Sequence, residues 1–183
     1  QQMGVIFDVD GVLVDSYQAH FRAWNRLAAA HDLPPMTERQ FAETFGRTNP
    51  DIIPWLWGDR LADDEQLRAW SDEKEADYRD IVREDFPQMD GADELLAALH
   101  EAGFALAVGS SGPPANVRVV LDELPHGHCI AAAVNGAEVE RGKPEPEVFL
   151  KAAAKLGLPP DHCCVVEDAP AGVEAARRAN MLA

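Results

Sequence analysis

Short apolar runs closed by polar loop residues alternate along most of the chain with stretches where apolar residues recur every three or four positions. The first run, Gly4-Val5-Ile6-Phe7-Asp8, is too short for a helix and apolar on consecutive positions. That is the pattern of a parallel strand buried on both faces. Similar runs at 104–108, 130–134 and 163–166 lead into Gly109-Ser110-Ser111-Gly112, Asn135-Gly136 and Glu167-Asp168. Helices are predicted between them. One covers 92–102, with Leu95, Leu96 and Leu99 on one side and Gly103 as its stop. Others cover 113–124, 145–156 (ending at Gly157) and 171–179. Strands and helices alternating at this spacing predict an α/β fold, a parallel sheet with helices on both faces in three layers.

The stretch 16–85 breaks the alternation, because it holds no convincing strand. Asp15-Ser16 can cap a helix with a stripe of Tyr17, His20, Phe21, Trp24, Leu27 and Ala28, and Pro34-Pro35 stops it. Thr37-Glu38-Arg39-Gln40 has the spacing of a capping box, Asn49-Pro50 suggests another helix start, and 63–84 reads as a long charged helix. The predicted organisation is therefore a core from 1–15 and 86–183, interrupted after its first strand by a small helical domain over 16–85. Met181, just after the last helix, reads as the start of a further strand, so the chain is expected to be truncated at its C-terminus.

Charge narrows the range of partners. Sixteen Lys+Arg against 32 Asp+Glu leave a formal net charge of −16, which repels nucleic acid and anionic lipid alike. No apolar run approaches the ~18 residues of a membrane span, and no secretory signal is visible at the N-terminus. Cys129, Cys163 and Cys164 are an odd number with two adjacent, which argues against a disulfide framework. They are expected to be core residues, and a reducing cytoplasm is the expected compartment.

The chemistry gathers where strands end, the usual place for ligands in open α/β sheets. Asp8-Val9-Asp10-Gly11 places two carboxylates one residue apart at a turn. Asp8 is a candidate nucleophile and Asp10 a candidate proton donor and acceptor, although an acidic turn alone would look the same. Ser110 and Ser111 offer hydroxyls and backbone N–H groups to an anion beside a helix start near Pro113, or form an ordinary Ser-Gly turn. Lys143, between Gly142 and Pro144, is either a phosphate-neutralising cation or a solvated loop lysine. Glu167-Asp168 suits a hard divalent cation such as Mg²⁺, or favours a helix N-terminus through its charge. Four such segments at strand ends are harder to explain as ordinary loops than any one alone.

In order, DVDGVLVDS, VGSSG, GKPEP and VVEDAPAG resemble the haloacid dehalogenase superfamily, and more narrowly its branch of β-phosphoglucomutases and sugar-phosphate phosphatases. The resemblance spans nearly the whole chain, including the position of the helical insert. It implies a Rossmann-like core with a mobile helical cap hinged near 14–17 and 85–90, whose closure excludes water. It further implies that Asp8 is the nucleophile and Asp10 the general acid/base, with Ser110 and Lys143 on the phosphoryl group. Mg²⁺ would be held by Asp8, by the backbone carbonyl of Asp10 and by Asp168, with Glu167 acting through water or from behind.

Specificity is expected in the cap. His20, in His20-Phe21-Arg22-Ala23-Trp24, and Lys74 match substrate-facing residues of the mutases, but each also fits an ordinary helix position. In Gly46-Arg47-Thr48-Asn49, Asn49 stands where the mutases grip a second phosphate with arginine, and Arg47 is a possible replacement. Trp55 and Trp57 are expected to pack between helices. The mutases carry polar and basic residues after the motif serine, whereas this chain has Gly112-Pro113-Pro114. Two phosphate contacts are thus missing, each a charged interaction of a few kcal/mol at most. The expectation is a monomeric Mg²⁺-dependent phosphatase of a small phosphorylated metabolite. A phosphosugar mutase is the alternative, and a catalytically degenerate binding module is disfavoured by the presence of both Asp8 and Asp10.

Overall fold

The computed structural model describes residues 2–44 and 47–183, so Gly46 lies outside the described residues. In chain order the elements are β1 (Gly4–Phe7), α1 (Tyr17–Ala30), α2 (Glu38–Ala42), α3 (Asn49–Trp57), α4 (Asp64–Glu84), α5 (Ala92–Glu101), β2 (Ala105–Gly109), α6 (Pro114–Glu123), β3 (Ile130–Val134), α7 (Glu147–Leu156), β4 (Cys163–Val166) and α8 (Pro170–Arg178). They fall into two compact units, Gln1–Ser16 with Phe86–Ala183, and Tyr17–Asp85.

The first unit is the α/β core. Its parallel strands run in the order β3-β2-β1-β4, so β1 is flanked by β2 and β4 and every residue of β1 is buried. Alternate side chains serve opposite faces. Ile6, Ala107 and Val165 pack with Val148, Phe149 and Ala152 of α7 and with Ala175 and Ala176 of α8. Val5, Phe7, Leu106 and Val108, pointing the other way, are buried as well, which gives the three layers. Beyond β4, Leu182 forms a parallel bridge with Cys164, and its carbonyl accepts from the Val165 N–H at 2.8 Å.

Strand β2 runs one residue later than the apolar pattern suggests. Gly109 belongs to the strand, paired with Val134, and a side chain there would push into the Phe149 ring, 2.9 Å from a built Cβ. Cys129 and Cys163 are buried, while Cys164 is half-buried, and all three are free thiols.

The second unit is entirely helical among its described residues. The stripe on α1 is narrower than its sequence suggests: Trp24, Leu27 and Ala28 are buried, but Tyr17, His20 and Phe21 are only partly so. Trp24, Leu27, Phe41, Ile53, Trp57 and Trp70 form one apolar cluster, where each large side chain contributes about 2–3 kcal/mol by leaving water. Thr37 forms the capping box with Gln40, and Asp63 caps α4 by accepting from the Gln66 N–H. Among the described residues no helix is long and apolar enough to cross a membrane.

Candidate active site

The chain leaves β1 for β2 and β3 on one side and returns to β4 on the other, so β1 is the switch point of the sheet. The register pairs Phe7 with both Val108 and Val166. The residues that follow therefore emerge side by side: Asp8 after β1, Glu167 after β4, and Ser110 after β2. Two hydrogen bonds hold these exits, from Asp8 N–H to the Val166 carbonyl and from Ser110 N–H to the Val134 carbonyl, both 3.0 Å.

Lys143 arrives from the loop before α7. Its Nζ donates to Asp8 Oδ1 at 2.8 Å and to Glu167 Oε2 at 2.6 Å, and it lies 4.9 Å from the centre of the buried Phe149 ring. Carboxylate oxygens of Asp8, Glu167 and Asp168 lie within 4.8 Å of one another. Gathering them is unfavourable without more positive charge. Burial pushes Asp8 up to about 7; Lys143 pulls the other way, and Glu167 and Asp10 push it up further. Burial and the Glu167 charge likewise raise Asp168.

Two glycines make room for this cluster. Gly11 has a φ of +76°, and a Cβ on it would collide with the Asp168 carboxylate. Gly172, near the start of α8, would collide with the Glu167 carboxylate if it carried a Cβ. The turn itself is closed by Gly11 N–H to the Val14 carbonyl and Leu13 N–H to the Val9 carbonyl, each 2.8 Å. Asp10 lies in that turn. A Cβ on Gly112 would sit 3.9 Å from Asp10 Oδ2 and 3.2 Å from Ser110 Oγ, so the β2 loop reaches the same place.

Ser110 is buried, and its Oγ accepts the Gly112 N–H at 3.0 Å, which leaves its own O–H to donate. Ser111 is exposed, and its carbonyl packs against Gly136. The helix start expected to help bind an anion offers less than anticipated. Pro113 is the N-cap and Pro114 the first residue of α6, neither has an N–H, and Ala115 is the first residue that does.

Lys74 is buried; its Nζ donates to Glu75 Oε1 at 2.8 Å and meets His20 Nδ1 at 2.9 Å. Asn49 Nδ2 donates to the same Glu75 Oε1 at 2.7 Å. The His20 ring stacks on Tyr78 with centroids 4.0 Å apart. Arg47 is exposed and occupied locally: it donates to the Asp51 carbonyl at 3.1 Å and lies over the Trp55 ring. Trp57 is buried with its Nε1–H on the Pro34 carbonyl, whereas Trp55 is 40% exposed and departs from the expected helix packing.

Sequence reasoning missed Glu75, Phe149 and Gly172. Neighbours one apart on a helix do not normally face each other, so Lys74-Glu75 gave no signal of a pair. Phe149 falls within the helix expected over 145–156, where nothing in the sequence signals that its ring lies under Lys143.

The donor set of Asp8, Glu167 and Asp168 is all hard oxygen, and Asp8 is raised to about 7 by burial, with the Glu167 and Asp10 carboxylates adding to it against the pull of Lys143. Both features fit a divalent cation of the Mg²⁺ type.

Strand-end carboxylates around one half-buried lysine, on a parallel sheet interrupted after β1 by a helical unit, make a site suited to holding a cation and an anionic group together. Residues 3–180 match the haloacid dehalogenase-like hydrolase family, and the chain belongs to that family. It is an enzyme of the family's branch that includes β-phosphoglucomutases and sugar-phosphate phosphatases. It is 38% identical over 173 residues to hexitol phosphatase A of Escherichia coli (strain K12), covering 93% of this chain and 76% of that one. It is 30% identical over 184 residues to the β-phosphoglucomutase of Bacillus subtilis (strain 168), covering 98% and 80%. A crystal structure of a HAD hydrolase, family IA, variant 3, from Entamoeba histolytica superposes with a TM-score of 0.84 at 28% identity, covering 98% of this chain and 82% of that one.

Proposed function

We propose that the protein is a Mg²⁺-dependent phosphatase of small phosphorylated polyols or sugars, working through an aspartyl-phosphate. The observation that carries this reading is the meeting of Asp8, Lys143 and Glu167 at the sheet's switch point, with Asp168 beside them. The 38% identity to a hexitol phosphatase supports the substrate class.

In the proposed reaction an Asp8 oxygen attacks phosphorus and the bond to the leaving oxygen breaks. Asp10 gives its proton to that oxygen, and the alcohol departs. Water then attacks the aspartyl-phosphate, Asp10 takes the water's proton, and the bond from phosphorus to Asp8 breaks to release phosphate. Lys143 faces charge on the transferring oxygens, and the Ser110 hydroxyl donates to one of them. Asp8, Asp10 and Asp168 would hold Mg²⁺, with Glu167 behind them; the ion supplies charge neutralisation at the phosphoryl oxygens. Ser111 is assigned a lesser role through its backbone. His20, Arg47, Asn49 and Lys74, in the cap spanning 16–85, are assigned to substrate choice.

The mutase reading draws on the His20–Lys74 contact and on the 30% identity to a mutase. Against it stand Asn49, which is neutral and held by Glu75, and Arg47, which is held within α3. Phosphate release from mannitol 1-phosphate with Mg²⁺, and its loss on chelation, tests the proposal; release that survives chelation contradicts the metal's part. The enzyme is further proposed to act as a cytoplasmic monomer, which sedimentation and cell fractionation check.

A further inference from the structure

Lys74 is the buried cation that an anionic substrate group would seek in the helical unit, yet it is already matched. Glu75 Oε1 takes hydrogen bonds from Lys74 at 2.8 Å and from Asn49 at 2.7 Å, and the Glu75 side chain is only 14% exposed. Although burial would raise its pKa, the Lys74 ammonium and the hydrogen bond from Asn49 hold Glu75 down to about 2. It is a carboxylate at any working pH. An ammonium has only donors, so His20 Nδ1 accepts from Lys74 and the ring's proton sits on Nε2, leaving a neutral imidazole. The group of Lys74, Glu75, His20 and Asn49 therefore sums to no net charge while offering both donors and acceptors.

We infer that Glu75 is a specificity-determining residue: by neutralising Lys74 and holding Asn49, it suits this cluster to the hydroxyl groups of a polyol or sugar monophosphate and refuses a second phosphate. The inference rests on the reading of the helical unit as the substrate-choosing cap. A second phosphate dianion would compete with Glu75 for Lys74 and lie against its carboxylate. Hydroxyls, which donate and accept, can join the network without displacing an ion pair. Selection by an opposing charge of this kind acts against the wrong ligand more than for the right one.

The test compares equilibrium binding of mannitol 1-phosphate and mannitol 1,6-bisphosphate by calorimetry, with Mg²⁺ present and Asp8→Asn stopping turnover. Glu75→Gln should shift the affinity ratio towards the bisphosphate by about tenfold or more, and Lys74→Gln should shift it the other way. The shift in Glu75→Gln should shrink as salt rises. If Glu75→Gln does not fold, the direction found with Lys74→Gln decides. Ratios within twofold of the parent in the folded variants overturn the inference, as does failure of both ligands to bind at millimolar concentration. Phosphate release by the enzyme with Asp8 intact is measured separately. Its absence with the ratios shifted as expected overturns the phosphatase reading and leaves the charge selection standing.

Discussion

As the proposed nucleophile, Asp8 bears the main chemical demand of the site. It is buried, raised to about 7, and bound to Lys143 at 2.8 Å. Asp8→Asn is expected to lower turnover by at least about 10³-fold while Mg²⁺ binding, read by calorimetry, is weakened but still detectable. Substantial turnover in a contamination-free preparation would remove the nucleophile assignment. Lys143 offsets two carboxylates at once, so Lys143→Ala loses more than a phosphate contact: Asp8 and Glu167 then face each other with no cation between them. A fall in kcat of about 10²-fold together with a raised KM is the expected result in steady-state kinetics. Unchanged kinetics would return Lys143 to the status of a loop lysine.

At the scale of elements, the turn after β1 and the long helix α4 set the geometry. Gly11 is the point where backbone conformation and cluster space coincide. Gly11→Ala is expected to cost about 1–2 kcal/mol of stability and to raise the Mg²⁺ concentration needed for half-maximal activity about tenfold, because Asp168 must move. A metal titration showing no change would mean that Asp168 does not need its present position. In α4, the Glu75 carboxyl titrates at about 2 rather than 4.5. Its folded value lies below its unfolded value, so its contribution is complete above pH 4.5 and is lost as the pH falls towards 2. That contribution amounts to about 3 kcal/mol near neutrality. The stability gap between the parent and Glu75→Gln, followed by denaturant unfolding, should be widest near pH 7 and narrow below pH 4. A gap constant from pH 7 to pH 3 would contradict it.

For the whole molecule, much was legible because its signals are local. The apolar run of β1 read as a buried parallel strand, and Thr37 with Gln40 announced the start of α2. The acidic and lysine motifs at strand ends were legible as residues of one chemistry, and the parallel register brings Asp8, Lys143, Glu167 and Asp168 together. What escaped depended on contacts distant in sequence or on unusual local geometry. Gly109 looked like a loop glycine because nothing nearby announces the Phe149 ring. The two prolines that strip N–H groups from the start of α6 were in plain view, but their cost depends on where the helix begins. Glu75 escaped because its pairing with Lys74 and Asn49 joins adjacent residues of α4 to the start of α3.

As a phosphatase, the protein is proposed to transfer the phosphoryl group to water rather than back to the sugar. The most direct measurement follows the reaction by ³¹P NMR, with Mg²⁺, mannitol 1-phosphate in one sample and β-glucose 1-phosphate primed with a trace of glucose 1,6-bisphosphate in another. Steady growth of the inorganic phosphate signal, fastest with the hexitol phosphate, is the predicted result. Conversion of β-glucose 1-phosphate to glucose 6-phosphate without free phosphate would contradict it and make the protein a mutase.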